Sequence, residues 1–154
     1  MSDITIGPDD PGTPDVLQLL EEHLRDMFAT SPAESVHALD VDGLRAAAIS
    51  FWSVRDAEGL LLGVGALRLD DGWAEIKSMR TAHAARGRGV AATMLAHLLD
   101  EARRAGCSAV MLETGSQDYF AAARRLYARH GFVETGPFGT YVEDPSSTFM
   151  SRRV

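Results

Sequence analysis

A chain of 154 residues with 45% hydrophobic and 24% charged side chains has the make-up of one ordinary globular domain. Its formal net charge of −7 argues against a nucleic-acid binder, which carries a basic face. A single cysteine, Cys107, excludes an internal disulfide. The opening MSDITIGPDDPG has neither the basic start nor the apolar stretch of a signal peptide. No apolar run nears the roughly 20 residues that span a bilayer. The expectation is a cytoplasmic protein with neither nucleic acid nor membrane as partner.

Residues 4–6 alternate as a short first strand, and Pro8, Pro11, Gly12 and Pro14 then form a loop. From Asp15, the positions Leu17, Leu20, Leu24, Met27 and Phe28 follow helical spacing until Ser31-Pro32 ends the helix. A second short helix or turn is expected over residues 33–39, with Asp42-Gly43 turning the chain. Three strands follow in close succession, over 47–55, 60–69 and 73–81. The short polar connections Ala57-Glu58-Gly59 and Asp70-Asp71-Gly72 imply antiparallel hairpins. Ala91, Met94, Leu95, Leu98 and Ala102 give one face of a helix over 90–104, which Gly106 closes. The strand over 108–114 has no room for a hairpin before it, so it runs parallel to the strand before the helix, in a right-handed βαβ unit. A helix over 118–130 with Ser116 as N-cap, then strands over 132–135 and 148–152, complete the chain. The order β-α-α-β-β-β-α-β-α-β-β reads as a mixed α/β sheet in one domain, 1–154.

The segment Arg86-Gly87-Arg88-Gly89-Val90-Ala91 lies at the strand-to-helix junction of the βαβ unit. Glycine lets backbone approach a ligand, and the first amides of a helix have no intrahelical partner and favour an anion. With Arg80 nearby, the positive charge is placed rather than general. The segment is built to meet phosphate. Gly87-x-Gly89-x-x-Ala92 also fits the dinucleotide fingerprint, and Glu113 follows where that motif wants an acid. Against that reading stand the hairpins before the segment, the four residues 82–85 between strand and Arg86, and a tail too short for further βαβ units.

Two motifs carry a family resemblance. Arg86-x-x-Gly89-x-Ala91 resembles the R/Q-x-x-G-x-G/A acetyl-CoA signature of the GNAT N-acetyltransferases, and Ala123-x-x-Leu126-Tyr127-x-x-x-Gly131-Phe132 resembles a second signature of that family. The segments EIKSMRT and LETGS and the tail YxEDPxSxFM are similar to its small bacterial YsnE-like branch. The chain departs from the pattern at Phe120, where many members carry a cofactor-contacting Asn.

The resemblance implies the GNAT fold and transfer of an acetyl group from acetyl-CoA to a primary amine of a small molecule or peptide, directly in a ternary complex. It implies that Arg86, Gly87, Arg88, Gly89, Val90 and Ala91 hold the pyrophosphate. Main-chain groups of Met79, Arg80 and Thr81 would pair with the pantetheine. Glu75 is the candidate general base and Tyr127 the candidate general acid for the departing thiolate. Tyr119 would stand near the cofactor, and His37, Glu113 and Tyr141 would face the acceptor. The alternatives are a non-catalytic acyl-CoA-binding regulatory module or an O-acyltransferase on the same fold, and a homodimer is left open. His23, His97 and His130 read as helix-surface residues and Cys107 as a packed small hydrophobe. Asp40-x-Asp42-Gly43 resembles a calcium loop without the rest of one, so no metal is expected.

Overall fold

A computed structural model describes residues 3–154. Strand β1 (Ile4–Pro8) leads into helix α1 (Pro14–Thr30), whose first turn holds Pro14 where a missing N–H costs nothing. A 3-10 turn at Ala33–Ser35 and a short helix α2 (Val41–Leu44) follow. Next come β2 (Ile49–Asp56), β3 (Leu61–Leu69) and β4 (Trp73–Thr81), then α3 (Val90–Arg104) and β5 (Ala109–Gly115). Helix α4 (Ala121–Arg129), β6 (Val133–Thr135) and β7 (Ser147–Arg153) end the chain.

The seven strands form one sheet in the order β1-β2-β3-β4-β5-β7-β6. Its β4–β5 pair is parallel and its other pairs are antiparallel. The mixed α/β order expected from the sequence is the order observed. Three local expectations need correction. Residues 36–39 are not helical, and Asp42-Gly43 lies inside α2, because the Asp40 carboxylate caps that helix by accepting from the Gly43 amide at 2.9 Å. Ser116 does not cap α4. Its hydroxyl donates to the Pro145 carbonyl at 2.5 Å, and α4 is entered through a 3-10 turn at Asp118–Phe120.

The faces of the sheet are buried by two clusters. The larger joins Met94, Leu95 and Leu98 of α3 and Tyr127 of α4 to Trp52, Leu67, Ile76 and Leu112. The smaller joins Val16, Leu19 and Leu20 of α1 and Leu44 of α2 to Phe51, Val64 and Ala66. At roughly 25 cal/mol per Å² of apolar area removed from water, such burial is the main favourable term holding the layers together. Among the described residues no helix is long and apolar enough to cross a membrane.

The sheet is interrupted at its centre. Strands β4 and β5 pair only over residues 73–76 and 109–112, then separate. On its other side β4 bulges. Ala66 faces Lys77 and Val64 faces Arg80, so Ser78 and Met79 together oppose Gly65. Ser78 takes φ = 51°, a left-handed conformation unusual for a residue with a side chain. A Cβ on Gly65 would lie 2.9 Å from Met94 Cγ, so only glycine lets α3 pack this close to the bulge.

Candidate active site

The gap between the separated strands opens into a cavity of about 120 Å³. Its walls are residues 75–79 of β4, residues 112–115 of β5, His23 and Met27 of α1, Ser35 and His37 of the following loop, and Phe120, Ala123 and Tyr127. The helical face 120–123–127 expected from the sequence therefore borders the gap. Phe120, at the position where an Asn was expected, lies against the strand: a Cβ on Gly115 would overlap its ring.

Beside this gap the chain turns into α3. Gly87 and Gly89 take φ of 80° and 78°, and Gly89 in left-handed conformation is the N-cap of α3. No side chain caps the helix, so its first amides remain open at its positive end. Gly87, Arg88 and Gly89 are exposed, Val90 is buried in the core, and Ala91 is half-buried. The Gly87–Gly89 turn thus leaves exposed backbone just ahead of the first amides of α3.

Two polar clusters stand deeper in. The first centres on Glu75, which is 1% exposed. Its Oε1 accepts from Arg68 Nη2 at 3.2 Å and Nε at 3.4 Å, and its Oε2 accepts from the Tyr141 hydroxyl at 2.5 Å and Lys77 Nζ at 3.3 Å. A carboxylate offers about four lone-pair positions, and these four donors occupy them. Lys77 spends its remaining protons on the Tyr141 oxygen at 2.9 Å and the His37 carbonyl at 3.2 Å. The cluster is closed on itself, as a buried ion pair must be to offset desolvation. Burial and the Glu75 carboxylate push the Tyr141 phenol far above its usual value, so it remains a donor.

The second cluster joins three elements. His37 Nδ1 lies 2.8 and 2.7 Å from the two oxygens of Glu113, and Ser147 of β7 donates to Glu113 Oε2 at 2.7 Å. An ionised carboxylate only accepts, so the Nδ1 atom of His37 carries the proton. The His37 ring also packs at 5.0 Å from that of Tyr141. The two clusters therefore share a boundary.

Tyr127 is 7% exposed on the cavity wall, and burial alone raises its phenol to about 12. It is neutral at ordinary pH and has a proton to give.

Several residues stand elsewhere than the sequence suggested. Tyr119 does not line the cavity; its hydroxyl donates to Asp26 of α1 at 3.0 Å. The Arg80 side chain also turns to Asp26, at 2.6 Å, and ties β4 to α1. Thr81 resumes pairing with β3 opposite Gly63, and Met79 borders the cavity. Tyr141 stands behind the wall and reaches the cavity through Glu75 and Lys77. His23 is no surface residue: it lines the cavity, and burial followed by the nearby Arg80 charge depresses its imidazole to about 4. His97 packs edge-on against Trp52, and His130 lies 2.9 Å through Nδ1 from the Leu126 carbonyl. Cys107 is buried as expected.

Lys77 and Arg68 were missed. Lys77 was legible in principle, two residues from Glu75 on the same side of a strand. Arg68 was not, because its place opposite Glu75 depends on the β3–β4 register. Among the described residues no group of three or more His, Cys, Asp or Glu is arranged to hold a metal ion.

A bulged β4, a parallel β5 that parts from it, and an uncapped glycine turn into α3 define an acyl-CoA acyltransferase architecture. The acetyltransferase (GNAT) family matches this chain over residues 16–132, and the chain belongs to that family. It is 46% identical over 148 residues to the uncharacterized N-acetyltransferase YedL of Escherichia coli (strain K12), covering 96% of this chain and 92% of that one. It is 44% identical over 140 residues to the uncharacterized N-acetyltransferase YsnE of Bacillus subtilis (strain 168), covering 90% and 92%. A GNAT family acetyltransferase from Elizabethkingia anophelis, solved with acetyl-CoA bound, shares the fold at a TM-score of 0.68 and 18% identity over 98% of both chains. The protein is an acetyl-CoA-dependent acetyltransferase.

Proposed function

We propose that the chain transfers acetyl from acetyl-CoA to a primary amine of a small molecule or peptide, by direct attack in a ternary complex. The observation that carries this reading is the gap between β4 and β5, with Tyr127 on its wall and an open helix N-terminus following the free end of β4. Pantetheine would lie along the unpaired edge of residues 77–81, with its amides pairing as an added strand does. The pyrophosphate would meet the amides of residues 87–91, with Arg86 and Arg88 adding charge-assisted contacts. That arrangement brings the thioester into the cavity beside Tyr127, whose hydroxyl would protonate the departing sulfur. The proton of the incoming ammonium would leave to a group on the cavity wall, before the nitrogen attacks. Relatives named as N-acetyltransferases support nitrogen as the acceptor atom. Excess acidic charge over the whole chain gives a general electrostatic preference for cationic acceptors. The test is release of free CoA thiol from acetyl-CoA in the presence of polyamines, amino acids and peptides, run beside matched alcohols. Amine-dependent release is the expected result; release with alcohols alone would overturn it.

A further inference from the structure

We propose that the group which deprotonates the acceptor is His37, oriented by Glu113, and that Glu75 is a brace rather than the base. This rests on the acetyl-transfer reading above. Glu75 has its lone-pair positions occupied by Arg68, Lys77 and Tyr141, so accepting a proton would require displacing a donor from a nearly fully buried carboxylate. His37 is in the opposite condition. Its Nδ1–H is directed to both Glu113 oxygens, which fixes the tautomer and leaves the lone pair on Nε2. Nε2 meets no hydrogen-bond partner among the described residues, and the ring lines the cavity at 32% side-chain exposure.

The supports of the ring come from four places. Glu113 lies on β5 and is held by Ser147 of β7; Tyr141 stacks at a tilt on the imidazole; Lys77 of β4 grips the His37 carbonyl. The charged and titratable groups that face it are thus Glu113, Lys77 and Tyr141, with Asp144 felt at longer range. Glu113 stabilises the imidazolium that forms, as a carboxylate does for a catalytic histidine elsewhere. The brace explains itself in the same scheme. Glu75 anchors Lys77 and Tyr141, and those two position His37.

The step balances as follows. Nε2 of His37 takes one proton from R–NH3+ and becomes imidazolium. The freed nitrogen pair forms the N–C bond to the thioester carbonyl. The C–S bond breaks with its pair on sulfur, which takes up the second nitrogen proton by way of the Tyr127 hydroxyl. The imidazolium then returns its proton to water.

Ethylamine at high concentration serves as a minimal acceptor, with acetyl-CoA as donor. His37→Gln keeps an N–H for Glu113 but cannot act as the base. It should lower kcat by roughly 100-fold, a typical worth for general-base catalysis, with the KM for acetyl-CoA within about twofold. Its kcat/KM for ethylamine should simply track the fraction of free amine, without the additional acid-side inflection of the wild type. Imidazole added to His37→Ala should restore turnover, a rescue that a purely structural histidine would not show. Unchanged kcat and an unchanged acid-side inflection in His37→Gln would overturn the assignment. If acetyl-CoA raises the melting temperature of the wild type yet no amine of a broad panel is acetylated, the amine reading itself falls and the dyad with it.

Discussion

At the scale of single residues, the site works by denying some side chains their usual chemistry. Tyr127 is kept neutral by burial, with its phenol raised to about 12, so its proton is available through the working pH range. Tyr127→Phe should lower kcat by roughly 10–100-fold while leaving acetyl-CoA affinity nearly unchanged, as steady-state kinetics beside direct binding would show. An equal loss in both would make the ring a packing element. His23 gives a pH prediction. Its folded imidazole sits at about 4 against 6.5 for the free side chain, so the folded state prefers it neutral. That contribution to stability is present above pH 6.5 and is lost as pH falls toward 4, because the unfolded chain takes up the proton first. Denaturant midpoints measured across this window should fall less in His23→Gln than in the wild type.

At the scale of elements, the bulge in β4 is the feature from which the site follows. It places Ser78 at φ = 51° with its hydroxyl buried and without a hydrogen-bond partner. A left-handed residue with a Cβ costs about 1–2 kcal/mol. Ser78→Gly should therefore raise stability by roughly 1 kcal/mol, and Ser78→Val should lower it by more, as urea titrations would show. A stabilising valine would mean that the bulge relaxes without strain. The bulge also marks where sequence reading stops. Alternating β-formers and the hairpin turns gave β4 its correct bounds, and the glycine turn and the Leu126-Tyr127 motif supplied the candidates for holding the cofactor and donating the proton. Nothing in the letters SMRT reveals that two residues oppose one, because a bulge is decided by the partner strand. For the same reason the Glu75 brace was unreadable: Arg68 and Tyr141 reach it from 7 and 66 residues away. His37 and Glu113 were each legible as candidate acceptor-facing residues, while their 2.7 Å contact, across 76 residues of chain, was not.

At the scale of the whole molecule, the acidic chain combines a rigid sheet with one incomplete seam. Cofactor binding should supply what the seam lacks. Acetyl-CoA at about 100 times its dissociation constant adds roughly 2.7 kcal/mol of stability by mass action, a rise of about 5–10 °C in melting temperature for a domain of this size. Absence of any shift at millimolar acetyl-CoA would contradict the binding mode.

The parting of β4 from β5 has a consequence beyond the site. Four residue pairs make up the β4–β5 ladder between the β1–β4 half of the sheet and the half made of β5, β7 and β6, and the core under α3 does the rest of the joining. A ligand strand laid into that opening is structurally a missing rung. By backbone pairing alone the sheet is two leaves on a short spine, and a ligand laid into the opening would make it one board. A ligand that binds only the closed form lowers the population of the open one, so resistance to proteases should rise with occupancy. Thermolysin digestion with and without acetyl-CoA, with first cuts expected near residues 77–81 and 113–120, would expose the spine; identical cleavage in both conditions would show that the leaves do not part.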